Sequence, residues 1–254
     1  MKLLIIFLFS SLLIFQHSKA QLVYYAAAKA GLSMREQPGV NAKVLEKIAY
    51  GQKLEVLKGE DNLQPIATEG FSGSWWKVKC NNKVGYIVSS YLLTSVPPKG
   101  GVNNLTNYFK QLSSPAGGPV VIGSLEDKSL EEGGGQLKKQ LYKNGMEWHE
   151  AQGYEYNSAL YILPGYTIEQ AYLLLRLLNQ FPELIGDNEP FPVKNLITTN
   201  QAAEKKIEVE RENYDDGKLG PVKKIKITHS EGAVTEFEIF TIDTQVLVSY
   251  NSGV

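Results

Sequence analysis

Short runs rich in β-branched and aromatic residues recur along the chain, and the clearest pair lies near its middle. Residues 74–80 (SWWKVKC) and 84–88 (VGYIV) flank the polar stretch 81–83 (NNK). Such runs favour strands, and Asn marks a chain reversal between them. The pattern therefore predicts a β-hairpin around which the N-terminal part of the protein is built.

Upstream of this hairpin the pattern predicts four further short strands, the first within the apolar and aromatic stretch 21–30. Residues 32–35 alternate apolar and polar side chains, so we expect Leu32 and Met34 to face a core and Arg35 to face outward. Residues 44–48 and 53–57 are joined at Tyr50-Gly51, where glycine permits the positive φ of a tight corner.

Four segments taken together resemble the bacterial SH3 (SH3b) family over about residues 24–94. They are 31–38 (GLSMREQP), 51–57 (GQKLEVL), 75–78 (WWKV) and 85–92 (GYIVSSYL). The resemblance implies a small all-β barrel that holds peptides or wall polymers. Two features depart from the family pattern. Tyr86 stands where tryptophan is more common, and residues 58–72 form a longer polar segment, which we expect to be an exposed loop.

The best domain boundary is the segment 96–101 (VPPKGG), whose prolines and glycines are typical of a linker. We therefore expect a barrel domain at residues 21–95 and a second domain at residues 102–254. No family is recognised for the second domain.

The C-terminal part predicts two helices among strands. Residues 102–112 place apolar side chains at spacings of three and four, which predicts a short amphipathic helix. Residues 167–170 (TIEQ) form a capping box that opens a helix at 168–181, and Asn144-Gly145 predicts a hairpin. Four strand-like runs fill residues 205–250, separated by polar turns. The expected fold class is thus an SH3-like barrel followed by an α+β domain, in which a helix packs on an antiparallel sheet.

Residues 1–20 read as a secretory signal peptide, with Lys2, an apolar run and small residues before a cut at Gln21. We expect an exported protein, periplasmic or extracellular, with no stable membrane span after cleavage. An uncleaved N-terminal anchor is the alternative. The chain beyond residue 20 carries 24 basic and 27 acidic side chains, a balance that gives no bulk attraction to nucleic acid. Cys80, the single cysteine, is expected to be a buried, inert thiol.

The candidate ligand-binding residues are Arg35, Trp75, Tyr86 and Tyr91. Strand alternation puts one of Trp75 and Trp76 inside the barrel and the other toward a ligand face, and the lysine in phase with Trp75 favours Trp75 as the outer ring. Exposed rings beside an arginine suit an extended peptide or a glycan. The alternative is that these rings fill the barrel core.

An enzyme is the less favoured expectation. The four residues that an envelope hydrolase could use are Glu147, His149, Glu150 and Asp187. Two histidines 80 positions apart do not make a metal motif, and no nucleophile motif surrounds Cys80 or Ser124. No catalytic residue, metal or cofactor is therefore predicted.

The predicted function is that of an exported, non-enzymatic binding or adaptor protein. Its barrel would bind cell-wall peptide, peptidoglycan glycan or an extended protein segment. Two alternatives stay open: an envelope-acting hydrolase with its site in the second domain, and a barrel that is only a structural brace. The sequence does not indicate an oligomeric state.

Overall fold

The computed structural model describes residues 22–57, 64–124, 135–153, 155–200, 203–214 and 219–253. The expected signal peptide at residues 1–20 lies outside these ranges. Strands account for 54% of the chain and helices for 11%, so the protein is mostly β. The strands form two antiparallel sheets of eight and nine strands.

The first sheet contains the N-terminal strands. Its order is β3-β2-β7-β6-β4-β1-β8, and β5 pairs with β6 alone. A 3₁₀ turn, Ser89–Tyr91, precedes β8. The strands are β1 (Leu22–Ala26), β2 (Leu32–Arg35), β3 (Val44–Ile48), β4 (Lys53–Val56), β5 (Pro65–Thr68), β6 (Phe71–Cys80), β7 (Lys83–Val88) and β8 (Leu92–Leu93).

The hairpin predicted at residues 74–88 is confirmed as β6 and β7. Its turn residues Asn81 and Asn82 both have positive φ, 47° and 63°. A two-residue type I′ turn requires positive φ at both central positions, and asparagine adopts it more readily than most residues. The Asn-Asn pair in the sequence thus specifies the turn.

One apolar core is shared by both ends of the first sheet. Every strand except β5 contributes to it, so the sheet must curl around its own inner face. The buried members are Ala26, Met34, Ile48, Leu54, Val78, Cys80, Ile87 and Leu92.

The expectation of a loop over residues 58–72 is wrong where the structure describes its second half. Residues 65–68 form β5, which turns through Glu69 and Gly70 into β6. Glu69 and Gly70 have φ of 51° and 80°, again the two positive values of a type I′ hairpin. Proline and glycine made this segment look turn-rich, although Pro65 only starts β5 and Gly70 belongs to the tight turn between β5 and β6.

The second sheet joins two meanders, β9–β12 and β13–β17, at the pair β12–β17. Its order is β13-β14-β15-β16-β17-β12-β11-β10-β9. The strands are β9 (Val120–Ser124), β10 (Gln136–Leu141), β11 (Glu147–Gln152), β12 (Tyr156–Pro164), β13 (Leu196–Asn200), β14 (Ala203–Asn213), β15 (Leu219–Glu231), β16 (Ala233–Ile242) and β17 (Gln245–Gly253).

Two helices accompany the second sheet, α1 (Leu105–Leu112) and α2 (Ile168–Leu178). The predicted capping box is confirmed: the Thr167 hydroxyl accepts from the Gln170 amide, and the Gln170 side chain accepts from the Thr167 amide. Helix α2 ends at Asn179, which has left-handed φ and ψ. Its residues are buried nearly all round, as the sequence predicts.

The predicted α+β class for the C-terminal part is wrong. A nine-stranded antiparallel sheet dominates residues 102–254, and the helices are small additions to a mostly β protein. The prediction gave one well-capped helix too much weight. It also missed β13, whose five residues are all exposed and so leave no burial pattern in the sequence.

Hydrogen bonds from helix α1 and from the N-terminal part of the chain hold the segment 96–101 in place. The carbonyls of Val96 and Pro97 accept from Tyr108 and Gln111 of α1, and that of Pro98 accepts from the Tyr50 hydroxyl. Both prolines are buried. The division of the chain into two domains here stays a prediction.

Candidate functional site

Three polar side chains form a row across the outer face of the first sheet. Arg35 in β2 is the cross-strand partner of Tyr86 in β7, and Tyr86 is the partner of Lys77 in β6. Directly paired residues in antiparallel strands project to the same side. We call Arg35, Tyr86 and Lys77 the outer row. All three are half-buried.

Strand alternation fixes which way the outer row points. Ile87, next to Tyr86, is fully buried in the core, and so is Val78, next to Lys77. Gly85 also faces the core, because a Cβ atom there would lie 2.7 Å from the Arg35 carbonyl oxygen and the Met34 side chain. This close approach of β2 to β7 brings Arg35 and Tyr86 together and requires glycine at position 85.

Arg35 is held in place by its own strand connection. Its Nη1 donates a 2.6 Å hydrogen bond to the carbonyl of Ala42, in the segment between β2 and β3. The remaining guanidinium donors have no partner among the described residues. Lys77 makes no ion pair or hydrogen bond with its ammonium among the residues that the structure describes. The outer row is therefore positively charged, with an aromatic ring at its centre.

Trp75 lies on this face of β6 but is covered, with 5% of its surface exposed. The expectation that it presents an open ring is corrected here, since a covered indole offers no stacking face. Trp76 is the half-buried ring, and it packs against the barrel core and edge-on to Tyr24, with centroids 5.0 Å apart. Alternation correctly placed Trp75 and Trp76 on opposite faces of β6, but it could not show that the outer face is covered near Trp75.

Tyr91 lies away from the outer row. Its ring is 6.0 Å from that of Phe71, at the junction with the second sheet. Burial raises the pKa of Tyr91, and the nearby Glu69 carboxylate raises it further. The structure thus brings Arg35 and Tyr86 together, covers Trp75 and places Tyr91 in an interface.

Comparison with known families identifies the first sheet. Residues 30–93 match the family model of the bacterial SH3 domain. The resemblance inferred from the sequence motifs is confirmed over that range, and no family model matches the C-terminal part. Neither the comparison with curated proteins nor the one with solved structures found a match.

The tip of the β5–β6 hairpin packs against helix α2 and against Phe191, in the segment between α2 and β13. The Phe191 amide donates to the Glu69 carbonyl at 2.8 Å, and a Cβ atom on Gly70 would overlap the Phe191 carbonyl oxygen. The Phe71 ring packs against Tyr172 and Phe191, with centroids 6.0 and 5.3 Å away. Phe71 belongs to the C-terminal core cluster, so the two sheets share buried apolar surface.

Arg176 supplies the charged contact at this junction. It is 8% exposed and donates to the Glu69 carboxylate at 2.7 Å and to the Glu189 carbonyl at 3.2 Å. Sequence reasoning missed this residue and also Lys77. A lone arginine inside the apolar helix 168–178 was the available signal, because a buried charge requires a partner.

The residues considered for a hydrolase do not converge. Glu147 and His149 hydrogen-bond to each other at 2.6 Å on one face of β11, and Glu150, three positions along the strand from Glu147, points to the other. Asp187 pairs with Lys29 at 3.9 Å, in a separate groove. Within the described residues no group of three potential metal ligands is found, and no helix is long and apolar enough to span a membrane.

Proposed function

We propose that this protein is an exported binding protein whose SH3 domain holds an extended peptide or glycan segment along the outer row. The observation that carries the proposal is the direct pairing of Arg35, Tyr86 and Lys77 across three strands. The family match supports a binding module. Export rests on the signal-like residues 1–20.

The chemistry of the row favours a ligand that carries carboxylates or other anions. Arg35 and Lys77 stand on either side of Tyr86, so a segment crossing the strands would meet a cation, a ring and a second cation. A guanidinium binds carboxylates through paired hydrogen bonds, and a tyrosine ring adds stacking area together with a hydroxyl. The peptide part of a cell wall supplies both extended backbone and carboxylates.

The contact between the SH3 domain and the C-terminal part supports a role in which the domain is held rigidly and presents the outer row to a ligand. Phe71, Glu69 and Gly70 fix one end of the SH3 domain, while the outer row lies toward the other end of β6. A rigidly held module loses less conformational freedom when it binds than a module on a free linker.

Retention on purified cell wall tests the proposal. Tyr86→Ala and Lys77→Ala in the full chain are each expected to reduce retention by about fivefold or more, a loss of about 1 kcal/mol. Lys110→Ala, which removes an exposed charge from α1, is the matched control and should bind as the wild type does. Unchanged retention for both row variants would refute the proposed site.

A second candidate is that the SH3 domain serves as a brace for the second sheet. The observation in its favour is that the Phe71 side of β6 is buried against Tyr172 and Phe191. If bracing is the only role, Phe71→Ala should destabilise the whole protein while the row variants leave wall retention unchanged.

A further inference from the structure

A cleft of about 290 Å³ opens on the helix-bearing face of the nine-stranded sheet. It lies in the second sheet, outside the SH3 domain, and is not part of the function proposed above. The lining side chains that matter are Glu150, Ala159, Tyr161, Gln180, Phe181 and Tyr250.

The strand register explains why a cleft exists here. Glu150 in β11 pairs with Ala159 in β12, and Ala159 pairs with Tyr250 in β17. These three side chains therefore project to one face in a single row. The outer two backbones are two strand spacings apart, about 10 Å. Because alanine stands between them, the gap between the carboxylate and the ring has only a methyl group as its floor.

The aromatic wall of the cleft is rigid. Phe181 stacks on Tyr250 with centroids 5.0 Å apart and planes at 21°, and Phe237 packs against Phe181 from the sheet. Tyr161, which is 5% exposed, closes the back, and its hydroxyl accepts a 3.4 Å contact from the Gln180 amide. The rings are therefore positioned before any ligand arrives.

The Glu150 carboxylate is exposed and has no ion pair or hydrogen bond among the described residues. Lys138 in β10, the cross-strand partner of Glu150, projects to the same face on the far side of Glu150 from Ala159, and it is not within ion-pair distance of Glu150. None of the described residues that line the cleft carries a cationic side chain. Burial raises the pKa of Tyr161 and the Glu150 charge raises it further, as expected for a negative potential in this cleft.

We propose that this cleft binds an organic ammonium group, held between the Glu150 carboxylate and the Tyr250 ring. Both walls attract a cation, one through charge and the other through the negative face of its π system. The Gln180 side-chain oxygen accepts from the Leu105 amide, so the Gln180 side chain has only its Nε2 donors for the polar part of a ligand. An anionic ligand would meet an uncompensated carboxylate and is disfavoured.

Nuclear magnetic resonance titration of the full chain tests this with n-butylammonium and, as a neutral match in size, n-butanol. Backbone amide shifts at Ala159 and Tyr250 should saturate with the amine, which should bind at least about tenfold more tightly than the alcohol. Equal binding of both, or no saturable shift with the amine, would overturn the proposal. Tighter binding of methyl glucoside at the same amides would also overturn it.

Variants separate the two walls. Glu150→Gln should weaken amine binding about tenfold, whereas Glu147→Gln, on the other face of the same strand, should leave it unchanged. Tyr250→Leu should weaken binding about threefold, and Tyr250→Phe should retain it, because the ring and not the hydroxyl meets the cation. Because Tyr250→Phe keeps the packing on Phe181, loss of amine binding in that variant would argue against the ring as the contact. Unchanged amine binding in Glu150→Gln would argue against the carboxylate.

Discussion

Arg176 of α2 donates a 2.7 Å hydrogen bond to Glu69, at the tip of the SH3 hairpin. The same guanidinium lies 5.1 Å from the centre of the Phe71 ring. One buried cation therefore links the hairpin of the first sheet to the helix of the second, inside a cluster of aromatic rings. This contact joins the two parts of the chain together with the Phe191–Glu69 backbone hydrogen bond and the packing of Phe71.

Replacing Arg176 by methionine should lower the free energy of unfolding by about 2 kcal/mol, because the packing is mostly kept while two charged hydrogen bonds and the contact with Phe71 are lost. Glu69→Gln should cost less, about 1 kcal/mol, since the Glu69 side chain is 51% exposed. Urea denaturation measures both. A double-mutant cycle should show coupling of about 1 kcal/mol, and strictly additive effects would mean that the pair does not hold the junction.

Gly70→Ala should destabilise the protein by more than about 2 kcal/mol. Position 70 has φ of 80°, and a Cβ atom would overlap the backbone of Phe191. Gly51→Ala is the matched control, because Gly51 has φ of 77° but open space around it. It should cost only the backbone strain, about 1 kcal/mol. Equal losses of stability for Gly70→Ala and Gly51→Ala in thermal or urea unfolding would show that the overlap with Phe191 adds nothing to the cost.

Stability should fall as the pH rises above 10, in part through Tyr50. Burial raises the pKa of Tyr50 from 10.0 to about 12, and its hydroxyl donates to the Pro98 carbonyl. Between these two pH values the unfolded chain loses the proton and the folded chain keeps it, so the stabilisation is complete below pH 10 and declines up to about pH 12.

Urea unfolding of wild type and Tyr50→Phe at several pH values measures this decline. The wild type should be the more stable at neutral pH by about 1 kcal/mol. Its advantage should shrink steadily above pH 10. An advantage that does not depend on pH would contradict the assigned shift.

The thiol of Cys80 should react slowly with alkylating reagents in the native protein. Cys80 is 4% exposed, and burial raises its pKa, with the Glu46 carboxylate adding to the shift. Both effects reduce the reactive thiolate. Denaturant should speed the reaction by orders of magnitude, and fast native labelling at neutral pH would indicate that β6 opens locally.

Local sequence signals gave the elements that local chemistry controls. The capping box at Thr167 and Gln170 starts α2, and Asn81-Asn82 specifies the type I′ turn of the β6–β7 hairpin. The meander at residues 205–250 was also predicted, because its turns and the alternation in its strands depend on residues that are close along the chain. Strand β13 was missed, because its five residues are all exposed and carry no such pattern.

The candidate site was half predictable. The motifs placed Arg35 and Tyr86 on the SH3 domain, and alternation pointed Arg35 away from its core. Neither signal showed that Lys77 completes their row or that Trp75 is covered. Register across strands and contacts between distant segments settle such questions, and a single sequence displays neither.

The amino-acid sequence by itself determined the family of residues 30–93, the type I′ turn and the start of α2, because each depends on residues that are close along the chain. Only the tertiary structure decided that Glu69 meets Arg176, that Glu150 faces Tyr250 across Ala159, and that nine strands form one sheet. The Glu69–Arg176 contact joins residues 107 positions apart, and Ala159 and Tyr250 are likewise far apart along the chain. The formation of such pairings depends on the burial of shared apolar surface, which no local pattern of side chains encodes.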